Sequence, residues 1–146
     1  MAGPLSGIKL VEFAGIGPGP FCGMILADLG AEIIRIDRAS QHGQGNTIDF
    51  QHRSKSSLSA DLKNPKTIEE IKKLLASVDG LIEGFRPGVM ERLGLGPEEC
   101  LKINSHLVYG RMTGWGQDGP LAKTAGHDIN YIALTGALEL MGRKDE

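Results

Sequence analysis

Three groups of residues in this sequence have types and spacings that could do chemistry. The first is a glycine loop, Gly15-Ile16-Gly17-Pro18-Gly19-Pro20. Gly15 and Gly17 match the first two glycines of the dinucleotide fingerprint G-x-G-x-x-G, and Asp37 stands where an acid would hold a ribose. The third glycine position is Pro20, and Pro18 and Pro20 remove two amides that would face a pyrophosphate. The loop therefore reads as a tight turn with Pro20 at a first helical position more readily than as a nicotinamide site. The second group is a recurring cation: Arg35 and Arg38 after the second predicted strand, Lys63 after the third, Arg86 after the fourth and Arg92 in the next turn. Ligands of open α/β sheets bind outside the carboxyl ends of strands, so such cations could converge on one polyphosphate. Taken singly, each reads equally well as a solvated surface charge. The third is His127-Asp128, placed after a glycine-rich loop and before a predicted helix. The positive end of that helix favours the uncharged imidazole that accepts a proton, and its amides could stabilise an oxyanion or enolate. A lone histidine in such a place is more often a cap or packing residue. His42, His52 and His106 lie in polar loops and turns and read as solvated.

The elements needed to position these groups are legible from periodicity. Residues 8–13 are β-rich, residues 21–29 are apolar and helical with Gly30 as a C′ residue, and residues 32–37 return as a strand, which makes a βαβ unit and a parallel, helix-covered sheet. Residues 39–54 are polar and aperiodic and read as a long excursion loop. A short strand at 56–60 leads to Asn64-Pro65, an N-cap and first helical residue, after which Ile68, Ile71, Leu74 and Leu75 share one helical face. Residues 80–83 and 107–112 read as strands, and 89–93 and 97–103 as short helices around Gly94-Leu95-Gly96. A last helix opens at Gly126-His127-Asp128, with Ile129, Ile132, Ala133, Gly136 and Leu140 spaced for one face. The alternation predicts an α/β, Rossmann-like open parallel sheet.

The chain has 146 residues, which argues for one domain or a piece of a larger one. Its 16 basic and 18 acidic residues leave a charge of −2, too near neutral for broad attraction to nucleic acid or an anionic membrane, so neither is an expected partner. Glycine, at 21 residues, is about twice its usual share of roughly 7%. Asp28, Glu32, Arg35 and Asp37 interrupt the most apolar region, and no basic residue precedes Lys9, so neither a membrane span nor a signal peptide is expected. Cys22 and Cys100 are far apart and lack further ligands at zinc-like spacing, which suits buried thiols in a reducing compartment and no metal site. The expected location is cytoplasmic. A doubly wound sheet ending in a helix with no following strand reads as unfinished.

Read together, Gly3-Pro4-Leu5-Ser6-Gly7-Ile8-Lys9-Leu10-Val11-Glu12-Phe13-Ala14, Pro18-Gly19-Pro20-Phe21-Cys22, Asp28-Leu29-Gly30-Ala31 and Ile36-Asp37-Arg38 resemble the start of family III CoA-transferases. More specific are Ala60-Asp61-Leu62-Lys63, Glu83-Gly84-Phe85-Arg86-Pro87-Gly88-Val89, Gly114-Trp115-Gly116-Gln117-Asp118-Gly119-Pro120 and Gly126-His127-Asp128-Ile129-Asn130-Tyr131. The last of these resembles the alpha-methylacyl-CoA racemase branch. The resemblance implies that residues 1–146 are part of a large, CoA-binding domain, with the rest of that domain and a small domain absent. It implies an isomerase of fatty acid metabolism that inverts the carbon next to a CoA thioester through an enolate, with His127 as one base. The opposing acid would be an Asp following Glu146, so the 146-residue chain alone is expected to be inactive. CoA contacts would fall on Arg38 near the adenine, Ala60, Asp61, Leu62, Lys63, Gly84, Phe85, Arg86 and Arg92, and on Gly126, Asp128, Ile129, Asn130 and Tyr131. No cofactor is implied, CoA being part of the acyl-CoA substrate. Full-length relatives are expected to be homodimers and this chain to self-associate. CoA transfer between carboxylates, or survival as an inactive CoA-binding remnant, are the alternative readings.

Overall fold

The computed structural model describes residues 3–39 and 50–142. Five parallel strands, β1 (Lys9–Phe13), β2 (Glu32–Arg38), β3 (Lys55–Ala60), β4 (Gly80–Glu83) and β5 (Val108–Arg111), form one sheet in the order β3-β2-β1-β4-β5. The chain winds one way from β1 to β3 and the other way from β4 to β5, so the order reverses between β1 and β4. Helices α1 (Pro18–Asp28), α2 (Pro65–Leu75), α3 (Val89–Arg92) and α4 (Pro97–Ile103) connect the strands. The predicted open parallel α/β sheet is the one observed.

Strand alternation divides the core in two. Val11 and Phe13 of β1 point to one face and pack with Ile36, Leu81, Ile68, Ile71 and Leu75, together with Met90 and Cys100 from α3 and α4. Leu10 points to the other face and packs with Ile33, Ala27 and Ala31 around α1. The stripe expected on α2 is therefore its buried face. Asn64 caps that helix as expected, its side chain accepting the Lys66 N–H at 3.0 Å, with Pro65 entering the first turn. Gly30 follows α1 with φ of 102°, a left-handed residue that a side chain would strain.

The sequence reading and the structure differ in three local places. First, α1 begins at Pro18 behind an N-cap Gly17 with φ of 72°, so Pro18, and not Pro20, takes the first helical position. Proline's fixed φ suits either site, and the left-handed glycine before Pro18 decides between them. Second, Arg35 lies inside β2 and Arg38 is its last residue, so neither follows the strand. Third, the last helix, α5 (Asp128–Leu134), stops at Thr135, and Gly136 with φ of 78° turns the chain into a 3-10 segment at Ala137–Leu140. Ile129 is 60% and Leu140 87% exposed, so the predicted stripe is neither continuous nor buried. Of the long excursion loop, the described part holds a 3-10 turn at Phe50–His52. His42 and the rest of residues 40–49 lie outside the described residues.

The chain divides into two compact units, Met1–Met112 with the whole sheet and Thr113–Glu146 with α5. Among the described residues no helix is long and apolar enough to cross a membrane.

Candidate functional site

At the carboxyl end of the sheet a pocket of about 530 Å³ opens where the strand order reverses. Its walls are the loop after β1 (Ala14, Gly15, Ile16), Pro20 of α1, the turn after β4 (Gly84, Phe85), the end of β2 (Arg35, Asp37, Arg38) and His52. This crevice is where open α/β sheets take ligands. Of the residues expected to bind, Arg38, Gly84 and Phe85 line it directly. Ala60 pairs in register with Arg38 at the end of β3, and Asp61-Leu62-Lys63 turns away from that point, the Asp61 carboxylate accepting the Lys63 N–H at 3.0 Å. Arg86 follows Phe85, and Arg92 lies on α3, with its guanidinium close over Gly88.

Charge pairing separates the three candidate arginines from the other arginines of the described residues, whereas Lys63 shares its unpaired state with Lys66 and Lys123. Arg38, Lys63, Arg86 and Arg92 are exposed and, among the described residues, make no ion pair with a carboxylate. Arg53, by contrast, is bound to Asp28, and Arg111 to Glu83 and Glu91. Arg35, grouped with the free cations on sequence grounds, donates to Asp37 through Nε at 3.0 Å and Nη2 at 2.8 Å. Asp37, the supposed ribose acid, also accepts the Ser57 hydroxyl, so it faces the crevice already engaged by two donors. Pro18 and Pro20 at the first turn of α1 leave few amides free for a pyrophosphate. Arg38 in the lining, with Lys63 and Arg86 on the loops after neighbouring strands, supplies the side-chain cations that could pair with an anion here.

Two buried carboxylates lie beneath the crevice loops, and the sequence reading placed neither in the site. Glu12 in β1 is fully buried; Lys55 Nζ donates to its Oε2 at 2.6 Å and to the Pro20 carbonyl at 2.8 Å. Burial raises the Glu12 carboxyl above its usual range, and the adjacent ammonium opposes that rise. Glu83 in β4 accepts the Phe85 N–H at 2.7 Å and Arg111 Nε at 2.9 Å. Alternation puts Glu12 on the α1 face with Leu10, and Glu83 on the opposite face with Leu81. The available signal was a charged residue inside a strand pattern otherwise apolar enough to be buried on both faces.

In the second unit, the Gly126–Tyr131 segment is organised by its own side chains. Trp115 Nε1 donates to the Ala125 carbonyl at 3.1 Å and its ring meets Tyr131 edge-on at 5.0 Å. A Cβ on Gly126 would press against both the Tyr131 hydroxyl and the indole, which is why glycine precedes the histidine. His127 is the extended N-cap of α5: its N–H donates to Asn130 Oδ1 at 2.9 Å, and its carbonyl accepts the Asn130 N–H at 2.9 Å. Cap geometry thus fixes the histidine backbone and leaves its imidazole exposed. Asp128 and Ile129 in the first turn are also exposed.

These features coincide with likenesses to known proteins. The chain is 49% identical over 142 residues to alpha-methylacyl-CoA racemase of Mus musculus, a match covering 97% of this chain and 36% of the relative. It is 34% identical over 151 residues to succinyl-CoA:glutarate CoA-transferase of Homo sapiens, covering 95% of this chain and 34% of that one. The chain thus spans little more than a third of the length of these curated relatives. A solved CAIB/BAIF family protein from Brucella suis superposes with a TM-score of 0.88 at 32% identity, over 100% of this chain and 43% of that one. The sequence model of CoA-transferase family III matches residues 5–146, and the chain belongs to that family.

Proposed function

We propose that this chain carries the CoA-binding part of an alpha-methylacyl-CoA racemase-like enzyme. The observation that carries the reading is the set of free cations: among the described residues Arg38, Lys63, Arg86 and Arg92 have no carboxylate partner at or after the strand ends, while Arg35, Arg53 and Arg111 are neutralised. A ligand with several phosphate charges explains why these four stay open. The choice of racemase over transferase rests on similarity, at 49% to a racemase against 34% to a CoA-transferase.

In the proposed reaction the α C–H bond of the acyl thioester breaks and its electron pair moves into the thioester carbonyl, giving an enolate. His127 takes the proton, and an acid on the opposite face returns one to the α-carbon, so the centre inverts with no net change in composition. The α5 terminus beside His127 favours the developing negative charge. By resemblance the opposing acid is an Asp that lies outside the stretch of the family matched by this chain.

Calorimetric titration of the chain with CoA tests the binding half. Replacing any one of the four cations with Ala should weaken binding on the order of 10–100-fold. If all four substitutions left the affinity unchanged, the polyphosphate would have to bind elsewhere. The chemistry is tested in a full-length context by deuterium wash-in at the α-carbon in heavy water. Racemisation needs no carboxylate acceptor for that exchange, and His127→Ala should lower it on the order of 10²–10⁴-fold while CoA affinity holds. Exchange at the parental rate without the imidazole would leave His127 as a helix cap only. Transfer of CoA to an acceptor carboxylic acid, without α-exchange, would favour the CoA-transferase reading, in line with the 34% identity to a CoA-transferase.

A further inference from the structure

Arg111 closes β5 at the edge of the sheet and reaches across three elements. Its Nε donates to Glu83 Oε1 of β4 at 2.9 Å, and Nη1 and Nη2 donate to Glu91 of α3 at 2.8 and 3.3 Å. The guanidinium also lies 5.9 Å over the Tyr109 ring, whose hydroxyl donates to the Leu95 carbonyl at 2.8 Å. Glu83 is 1% exposed, in a strand where the other buried positions are apolar or glycine. Burying a charged pair in a sheet adds little stability over well-packed apolar side chains. Glu83 does one thing that an apolar residue could not: its Oε2 accepts the Phe85 N–H at 2.7 Å, which fixes the turn that walls the crevice. Arg111 likewise does more than neutralise Glu83. Through Glu91 it ties down the short helix that carries Arg92, and through Glu83 it holds the turn that carries Arg86.

We propose that Glu83 and Arg111 are positioning residues of the crevice, holding the Phe85-Arg86 turn and α3 so that Arg86 and Arg92 meet one polyphosphate together. The proposal rests on the CoA-binding reading for the identity of that anion. The geometric part, a turn held by a buried carboxylate, stands on the hydrogen bonds alone.

The experiment compares Arg111→Met, Glu83→Met, the double variant and Arg111→Lys in the 146-residue chain. Each is followed by thermal unfolding, by NMR hydrogen exchange at the Phe85 amide and by calorimetric titration with CoA. Arg111→Met leaves the Glu83 carboxylate buried without its counter-charge and should lose the most stability, Glu83→Met leaves Arg111 still paired with Glu91, and the double variant should regain what Arg111→Met loses. A merely structural pair would then regain everything. A positioning pair would not: in the stable double variant the Phe85 amide should exchange about tenfold faster or more, and CoA should bind about tenfold more weakly. Arg111→Lys keeps a charge opposite Glu83 but loses the fork to Glu91, so it should keep Phe85 protection and still weaken CoA binding. This variant carries the test if the double variant does not fold. Wild-type Phe85 exchange and wild-type CoA affinity in the double variant, or wild-type affinity in Arg111→Lys, would overturn the proposal. Failure of the unsubstituted chain to bind CoA would refute the CoA reading instead. Phe85 exchange would then decide alone, with unchanged exchange in the double variant overturning the positioning role and faster exchange upholding it.

Discussion

The Glu12–Lys55 pair allows a stability argument to be tested apart from any ligand. Both side chains are almost wholly out of solvent, at 0% and 2% exposure, with Nζ 2.6 Å from Oε2. Removing the ammonium by Lys55→Met leaves a buried carboxylate that has also lost its only donor among the described residues, Glu12 Oε1 having no partner there either. Breaking such a pair from one side typically costs about 3–5 kcal/mol. At roughly 3–4 °C per kcal/mol for a chain of this size, that is a fall in melting temperature on the order of 10–20 °C. The double variant Glu12→Met with Lys55→Met removes both charges and fills the space with flexible apolar side chains. It should lie within about 1 kcal/mol of the unsubstituted protein.

The pH dependence follows from the direction of the Glu12 shift. Burial raises the folded-state pKa above the ordinary 4.5, so protonation favours the folded state; this contribution is fully present below 4.5 and is lost as pH rises through the folded value. In Lys55→Met the opposing ammonium is gone, so the deficit against the unsubstituted protein should shrink as pH is lowered from 7 toward 4.5. Urea unfolding followed by circular dichroism at several pH values measures both effects. A Lys55→Met cost under about 1 kcal/mol, or a double variant no more stable than the worse single one, would refute the reasoning.

Three further outcomes are expected. Gly23 faces Glu12 across α1, and a Cβ there would overlap Glu12 Oε2 and crowd Lys55 Nζ; Gly23→Ala should cost about 1–3 kcal/mol, and much less in a Glu12→Ala background, as a thermal double-mutant cycle would show. Cys100 is fully buried and burial pushes its thiol up to about 11. Native iodoacetamide labelling at pH 8 should therefore modify Cys22 well before Cys100, and equal rates would show that the α4 core opens readily. Phe21, Ile25 and Leu29 form an exposed apolar row on α1, and α5 exposes Ile129 and Leu134. Light scattering should accordingly show self-association rising with concentration, and a monomer at high concentration would contradict it.

The parts of this structure that local physics specifies were legible in the sequence. The limits of β4 at Gly80–Glu83 and of α4 at Pro97–Ile103 follow from apolar runs broken by glycine and proline, and the start of α2 follows from Asn64-Pro65. Each signal acts over a few residues, through a cap, a fixed φ or a side-chain period. The placement of Lys63 and Arg86 after strand ends, and of Arg38 at one, was also readable, because strand ends define the crevice edge in this class of fold. Tertiary structure decided which charges stay free. Arg35 and Arg38 are three residues apart in one strand, yet Arg35 is held by Asp37, while Arg38, the last residue of the strand, has no carboxylate partner among the described residues. The partners of Glu12 and Glu83 come from residues 43 and 28 positions away, a pairing set by parallel register and not by sequence distance. The α5 stripe shows the converse: periodicity names a face that could be buried, but burial needs a partner surface, and among the described residues of its own unit Trp115 covers Tyr131 while Ile129 and Leu140 stay exposed.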